Sequence, residues 1–277
     1  MVLYKHAKVI AAILFAVLIN AGCIKQAPPS VVPEIRPGVL QGYLVKDDYP
    51  DSLALLPPPP EKGSVGFAMD EAISKKALGL QDTSRFALAA KDAELIFPEA
   101  AQVYSCTLGI PISEEHTPHL YMLLRRVLAD AGLTTYAAKD HYNRARPFVI
   151  NGFPTCTPDE EEHLSHDGSY PSGHTAVGWA WALVLTEVVP EQADAILQRG
   201  RAYGESRIAC NVHWYSDVVA GRMIGAAAVA RMHGNAEFRE AVEAARNEVI
   251  EIRKLGLSPS LNCQAEKEAL KIVIHLQ

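Results

Sequence analysis

The sequence predicts an all-α protein, a single-domain helical bundle at residues 67–277 that follows a proline-rich N-terminal arm. From Met69 onward, apolar residues recur at the spacing of helices. No stretch alternates convincingly between apolar and polar residues as a half-buried strand would, and no internal repeat is evident. The 277 residues, 49% hydrophobic and 21% charged, are enough to bury one large core.

The first 23 residues are typical of an export signal. Lys5 and Lys8 give a positively charged start, residues 9–19 are apolar, and small residues follow. The apolar run is too short to span a bilayer. We therefore expect the mature protein in the periplasm or outside the cell. Removal of residues 1–23 takes away two lysines and no acidic residue, so the formal net charge changes from −6 to −8. An acidic surface argues against nucleic acid as a partner.

Cys23 is a candidate for lipidation. The tripeptide Ala21-Gly22-Cys23 resembles a lipoprotein cleavage site, but Asn20 replaces the apolar residue usual before it. Two outcomes stay open: a protein that is released, and a lipoprotein tethered to a membrane through Cys23.

The arm, residues 24–66, is rich in proline. Residues 57–60 are four consecutive prolines, which cannot continue a helix, so we expect extended chain here. The arm either tethers the body to a membrane or packs on it, and composition does not choose between these two roles.

The helices that follow have recognisable ends. Thr83 or Ser84 can cap a helix, Pro98 and Pro118 suit first turns, and Gly132 can close one. Helices are predicted at residues 69–77, 83–94, 98–109, 120–131, 134–145, 175–189, 191–205, 217–233, 236–255 and 265–276.

An acidic loop is predicted at residues 148–170, after Pro147 ends its helix. His163, His166 and Asp167 in this loop have weak metal-ligand spacing, and no further partner is apparent. We interpret the segment as a loop or lid beside a pocket.

The octapeptide at residues 168–175 is Gly-Ser-Tyr-Pro-Ser-Gly-His-Thr, and an apolar helix follows it. The backbone N–H groups of Ser172, Gly173 and His174 are therefore expected at a helix N-terminus, where such donors lack internal partners. This is a ready site for an anion.

Two other stretches supply charge. Lys139 and Arg146 stand seven apart, so on one helix they share a face. Downstream, Arg207 follows Ser206, and His213 and Asp217 are four apart. Each pair alone has an ordinary structural explanation, but three cations, two histidines and an anion-binding turn together favour a functional site.

The three parts together resemble the type 2 phosphatidic acid phosphatase superfamily. Its pattern is Lys, six residues, Arg-Pro; then Pro-Ser-Gly-His; then Ser-Arg, five residues, His, three residues, Asp, and all three parts match here without a gap. The longer octapeptide and the prolines after Leu56 resemble the bacterial class A non-specific acid phosphatases. Weaker similarity extends from about residue 56 to residue 249. The resemblance also implies an all-α fold.

The chemistry of phosphate binding suggests a role for the three cations. Lys139, Arg146 and Arg207 would bind the phosphate oxygens, since a guanidinium can donate to two oxygens at once. Ser172 and the N–H of Gly173 would complete the cradle. These cations supply the charge that a metal supplies elsewhere, so we expect neither a metal nor another cofactor.

The resemblance implies the catalytic roles. His213 would be the nucleophile and form a phosphohistidine, and Asp217 would hold one of its ring nitrogens. His174 would be the general acid that protonates the leaving oxygen and later activates water.

Four cysteines remain when Cys23 is set aside, and an even number in an exported protein suggests two disulfides with three alternative pairings. The resemblance to class A phosphatases favours Cys156–Cys210, and Cys106–Cys263 then follows by exclusion.

The expected function is a secreted or lipid-tethered acid phosphatase that hydrolyses a broad range of small-molecule phosphate monoesters, with transfer of phosphate to alcohols as a further reaction. The resemblance leaves open a vanadium-dependent haloperoxidase, which shares the cradle, and a phosphatase of lipid or isoprenyl phosphates. A non-catalytic phosphate-binding module is the remaining alternative. Relatives suggest a homo-oligomer, but no interface can be identified from the sequence.

Overall fold

The computed structural model describes residues 29–274 and confirms the all-α prediction. The predicted export signal and Cys23 lie outside the described residues, so both remain predictions. Within residues 29–274, no helix combines the length and the apolar character needed to cross a bilayer.

The helices come in the following order. They are α1 (Ser52–Leu55), α2 (Val65–Ala77), α3 (Ser84–Lys91), α4 (Ser105–Leu108), α5 (Pro118–Leu133), α6 (Tyr136–Tyr142), α7 (Pro147–Asn151), α8 (Glu161–Ser165), α9 (Gly173–Val188), α10 (Ala193–Ala209), α11 (Tyr215–Met232), α12 (Ala236–Lys254) and α13 (Cys263–Leu270). Short 3-10 turns occur at Lys46–Asp48, Leu78–Leu80, Glu99–Tyr104, Pro158–Glu160 and Pro190–Gln192.

A small antiparallel hairpin in the arm joins β1 (Glu34–Arg36) and β2 (Val39–Leu40). The hairpin was not predicted, because strands of three and two residues are too short to show an alternating pattern in the sequence.

Helix α9 is the centre of the bundle, packed against α5, α10, α11 and α12. Its apolar residues are distributed around the whole helix rather than along one stripe, which is typical of a buried helix. Trp181 is completely buried, and its indole N–H donates to the carbonyl of Leu124 at 2.8 Å.

Two glycines bring α11 close to the start of α9. A Cβ on Gly221 would lie 2.5 Å from the carbonyl oxygen of Ser172, and a Cβ on Gly225 would overlap the carbonyl oxygen of Ala176. These glycines are four apart, on one face of α11. The first turn of α9 can therefore lie directly against α11, and Ser172 N–H donates to the carbonyl of Asp217 at 3.0 Å.

The prediction that Lys139 and Arg146 share one helix is wrong. Helix α6 ends at Tyr142 because Asn143 is left-handed, with φ of 36°, a conformation that asparagine tolerates. Arg146 is extended, as expected before a proline, and Pro147 begins α7 instead of ending a helix.

Other helix ends also differ from prediction. Helix α10 continues to Ala209, so Ser206 and Arg207 lie in its last turns and not in the turn that follows. The predicted loop 148–170 contains α8 and most of α7, each only five residues long, which is too short for periodicity to reveal.

The arm packs on the body from Val39 onward. The carboxylate of Asp130 in α5 accepts hydrogen bonds from the N–H groups of Tyr43 (2.7 Å) and Leu44 (3.2 Å). Further along, the buried hydroxyl of Ser52 accepts a hydrogen bond from Ala138 N–H at 3.0 Å. The arm thus holds both α5 and α6, the helix that carries Lys139.

Both predicted disulfides are confirmed. Cys156–Cys210 joins the segment between α7 and α8 to the end of α10, with a Cα–Cα distance of 4.7 Å. Cys106–Cys263 joins α4 to the start of α13, with a Cα–Cα distance of 5.3 Å.

The contact between the arm and α5 gives a first prediction. In Gly42→Ala, the new Cβ would overlap the Asp130 carboxylate, which must move and lose hydrogen bonds to the arm. We expect the free energy of unfolding to fall by about 1–3 kcal/mol, measured by urea unfolding. The control is Gly79→Ala, where a Cβ would contact nothing within 4 Å. If both variants unfold at the wild-type denaturant concentration, the contact does not hold the arm.

Candidate active site

A cavity of about 240 Å³ opens at the N-terminal end of α9. Six of the catalytic and phosphate-binding residues predicted from the sequence line it: Lys139, Arg146, Gly173, His174, Arg207 and His213. Ser172 and Asp217 are completely buried and are not part of the lining. The structure thus gathers residues from four separate chain segments around one cavity.

His213 is oriented by Asp217. Its Nδ1 lies 3.3 Å from Asp217 Oδ2, which also accepts the backbone N–H of Trp214 at 2.8 Å. A carboxylate can only accept, so Nδ1 carries the proton of the neutral ring and Nε2 is unprotonated. Nε2 lies 3.1 Å from Nη1 of Arg146, which donates to the Nε2 lone pair.

Arg144 supports Asp217 and was missed by the sequence analysis. Its Nη1 donates to Asp217 Oδ1 at 2.6 Å, and its Nη2 donates to Asp70 Oδ2 at 2.8 Å. All three side chains are at most 9% exposed. The sequence signal that could have revealed this role is the need of a buried carboxylate for a nearby cation.

Arg146 is held mainly by backbone carbonyls. Its Nε donates to the carbonyls of Leu164 and Asp167, both at 2.9 Å. Its Nη1 donates to the carbonyl of Val212 at 3.1 Å, and its Nη2 donates to the Asp167 carboxylate at 2.7 Å. These partners fix the plane of the guanidinium in the cavity wall.

Lys139 shares the same carboxylate. Its Nζ lies 3.3 Å from Asp167 Oδ2 and 2.5 Å from the carbonyl of Gly168. A Cβ on Gly168 would lie 2.7 Å from the backbone oxygen of Lys139, so glycine allows this close approach. Burial and the nearby Arg146 lower the pKa of Lys139 to about 8.

Arg207 has fewer hydrogen-bond partners than the other two cations. It is completely buried, and neither Nε nor Nη1 has a hydrogen-bond partner within the described part of the chain. Burial lowers its pKa to about 10, so it remains protonated at neutral pH. Two unpaired donors on a buried cation are a strong indication of an anion site.

The segment that follows α3 positions both Arg207 and His174. Asp92 accepts a hydrogen bond from the Ser206 hydroxyl at 2.6 Å, which holds the last turns of α10. The carbonyl of the next residue, Ala93, accepts a hydrogen bond from His174 Nε2 at 2.8 Å. Nε2 therefore carries the proton of neutral His174, and Nδ1 is unprotonated.

Ser172 is the N-cap of α9. Its Oγ accepts hydrogen bonds from the Thr175 N–H at 3.2 Å and the Thr175 hydroxyl at 2.9 Å. The cap fixes the first turn of α9, and Gly173 at that turn lines the cavity. The predicted contact of Ser172 with phosphate stays a prediction.

The electrostatics of the site favour neutral histidines. Burial, and then Arg146 and Lys139, lower the pKa of His213 well below its ordinary value. Burial, and then Arg207, lower the pKa of His174 well below its ordinary value. Burial raises the pKa of Asp217 above its ordinary value, although Arg144 partly opposes that effect.

The arm and the acidic loop also contribute to the cavity wall. Arg36 and Val39 of the arm line it, as do Glu160 and His163 of the loop. The loop thus lies beside the cavity, as predicted. In residues 29–274 no group of three or more His, Cys, Asp or Glu side chains is arranged to hold a metal ion.

Comparisons with known proteins identify the family of the chain. A profile of the PAP2 superfamily matches residues 120–239. A non-specific acid phosphatase of Providencia stuartii is 42% identical over 248 residues, which are 89% of this chain and 99% of the relative. An acid phosphatase of Zymomonas mobilis is 40% identical, over 80% of this chain and 84% of the relative. A non-specific acid phosphatase of Salmonella typhimurium is 36% identical, over 76% of this chain and 84% of the relative.

These similarities extend well beyond the three motifs and cover most of the chain. The chain therefore belongs to the PAP2 superfamily, among its bacterial non-specific acid phosphatases.

Proposed function

We propose that this protein is an acid phosphatase that hydrolyses a broad range of small phosphate monoesters through a phosphohistidine at His213, without a metal. The observation that carries the proposal is that Nε and Nη1 of Arg207, which have no hydrogen-bond partner within the described residues, belong to the same cavity as the unprotonated Nε2 of His213. The relatives bear names of acid phosphatases, which supports the same reaction class.

The cavity suits a phosphate group. A phosphate monoester brings about two negative charges and must leave water, so it needs charged hydrogen-bond donors in the site. Lys139, Arg146 and Arg207 supply three positive charges, and Gly173 adds a backbone N–H at a helix N-terminus. These donors are fixed before substrate arrives, which favours the charge distribution of the transition state.

In the first step, Nε2 of His213 attacks phosphorus, and the bond from phosphorus to the ester oxygen breaks. Protonated His174 gives its Nδ1 proton to that oxygen, which leaves as an alcohol. The Asp217 carboxylate stabilises the positive charge that develops on the imidazole of His213. The products are the alcohol and phosphorylated His213, with His174 now neutral.

In the second step, neutral His174 takes a proton from water as the oxygen of that water attacks phosphorus. The bond between phosphorus and His213 Nε2 breaks, and orthophosphate leaves. A small alcohol in place of water would accept the phosphoryl group instead, so phosphate transfer uses the same intermediate.

The pKa directions fit a reaction in acid. A histidine with an ordinary pKa would be protonated below about pH 6 and could not attack. Because burial and the neighbouring cations lower the pKa of His213, its nucleophile stays neutral there. His174 must be protonated; burial and then Arg207 lower its pKa, and the negative charge of bound phosphate acts in the opposite direction.

We also propose, from the sequence of residues 1–23, that the protein is exported to the periplasm or secreted, with Cys23 as the candidate lipid anchor. We further propose, from the family resemblance, that the protein forms a homo-oligomer.

The reaction class is tested with p-nitrophenyl phosphate from acid to neutral pH, with chelator and, in a parallel sample, with vanadate. We expect hydrolysis that survives chelator, because protein cations supply the charge, and that vanadate inhibits as a phosphate mimic. Loss of hydrolysis with chelator would contradict the metal-independent mechanism. If the protein does not hydrolyse the ester but oxidises halide with peroxide once vanadate is added, it is a haloperoxidase instead.

Substrates with different leaving groups distinguish the proposed roles of His213 and His174. His213→Ala should lower kcat by at least about 10³-fold for every substrate, because it removes the nucleophile. His174→Ala should lower kcat by about 10²- to 10⁴-fold for alkyl phosphates, and by less for p-nitrophenyl phosphate, whose leaving oxygen needs little protonation. It should also remove the decline of kcat at high pH, since His174 acts in its protonated form.

The control for these kinetics is His116→Ala, a histidine with a 40% exposed side chain outside the cavity. If His174→Ala lowers kcat equally for alkyl and aryl phosphates, His174 is not the general acid. Near-normal activity in His213→Ala would show that His213 is not the nucleophile.

A further inference from the structure

We infer that Asp167 is an internal competitor for the phosphate cradle, a carboxylate that substrate phosphate must displace and that thereby sets the affinity of the site. The inference rests on the proposed function, because it assigns the cradle to phosphate.

The carboxylate of Asp167 bridges two cations of the cradle. Oδ2 accepts from Nη2 of Arg146 at 2.7 Å and lies 3.3 Å from Nζ of Lys139. A carboxylate oxygen and a phosphate oxygen make the same charge-assisted hydrogen bonds with these donors. Asp167 therefore holds the two cations in the way a phosphate oxygen would.

Arg146 has no donor to spare. Its Nε and Nη1 donate to the carbonyls described above and to His213 Nε2. Its Nη2 donates to Asp167 Oδ2 and, at 3.4 Å, to the carbonyl of Gly168. A guanidinium has five N–H groups, and every nitrogen here is engaged. A phosphate can bind Arg146 only if one of these acceptors leaves.

His213 Nε2 gives up its contact with Nη1 when it attacks phosphorus, and Asp167 is the acceptor that can leave Nη2. The carbonyls belong to the backbone that forms the cavity wall, whereas the Asp167 side chain is 30% exposed and can turn toward water. The structural ion pairs differ, since both side chains of Arg199–Asp92 are only 2% exposed.

The cations keep their places when the carboxylate leaves. Arg146 retains its bonds to the carbonyls of Leu164, Asp167 and Val212. Lys139 retains the carbonyl of Gly168. The cradle is thus built on main-chain oxygens, and the Asp167 carboxylate neutralises it between turnovers.

A structural role for Asp167 would predict the opposite change in phosphate affinity. If the Asp167 carboxylate were needed to organise Lys139 and Arg146, its removal would weaken phosphate binding. If it competes with phosphate, its removal strengthens binding, because a neutral amide is a weaker partner for both cations. The direction of the change decides between the two roles.

The test is calorimetric titration of the full-length protein with inorganic phosphate, for wild type, Asp167→Asn and Asp159→Asn. Asp159 is an exposed acid of the same loop. Lys139 and Arg146 form their ion pairs with Asp167 and not with Asp159. It therefore controls for the general effect of removing one negative charge. We expect Asp167→Asn to lower the Kd of phosphate by about tenfold, or about 1.4 kcal/mol. Asp159→Asn should change it much less.

An unchanged or higher Kd in folded Asp167→Asn, or an equal decrease in Asp159→Asn, would overturn the inference. If wild type hydrolyses p-nitrophenyl phosphate and binds phosphate while Asp167→Asn binds no tighter, only the inference fails. If wild type neither hydrolyses the ester nor binds phosphate, the proposed function fails and the inference fails with it.

A second measurement does not depend on the variant. In a crystal structure of wild type with vanadate, the Asp167 carboxylate should be more than hydrogen-bond distance from both Arg146 and Lys139. A bound vanadate with Asp167 still bonded to both cations would contradict the competition.

Discussion

One electrostatic constraint underlies the structure: three cations are gathered beside the buried imidazole of His213 and, together with burial, lower its pKa. Lys139 and Arg146 are almost completely buried and Arg207 is completely so. Like charges repel, and each loses its water on burial. The protein meets this constraint with main-chain carbonyls and the Asp167 carboxylate on two of the cations. Arg207 keeps donors without a partner within residues 29–274, and an anionic substrate can satisfy them.

The helical scaffold fixes the geometry that this constraint requires. Helix α11 presents Asp217 to His213, and Gly221 lets the same helix touch the first turn of α9. Arg144 joins Asp217 to Asp70 of α2, so the position of the imidazole is tied to a distant part of the chain. A site assembled from rigid helices holds its donors in place before substrate arrives, which is how electrostatic catalysis gains its advantage.

Much of this account was predictable from the sequence, because motif residues have fixed spacing and amphipathic helices have fixed periods. His213, Asp217 and the N-terminal turn of α9 were placed correctly beside one another. The single helix expected to carry Lys139 and Arg146 was wrong, since one left-handed residue, Asn143, ends it. Arg144, Arg36 and the arm hairpin could not be assigned, because their roles depend on contacts between segments far apart in sequence, which no local pattern encodes.

In the proposed mechanism, His213 becomes phosphorylated during turnover. The most direct measurement is rapid quenching of His174→Ala during reaction with p-nitrophenyl phosphate, followed by peptide mass spectrometry under alkaline conditions that preserve phosphohistidine. The account predicts a phosphoryl group on His213, on a scale approaching one per active site, because the loss of His174 slows the release step. Phosphate on another side chain, or burst-free turnover with an unmodified His213, would contradict it.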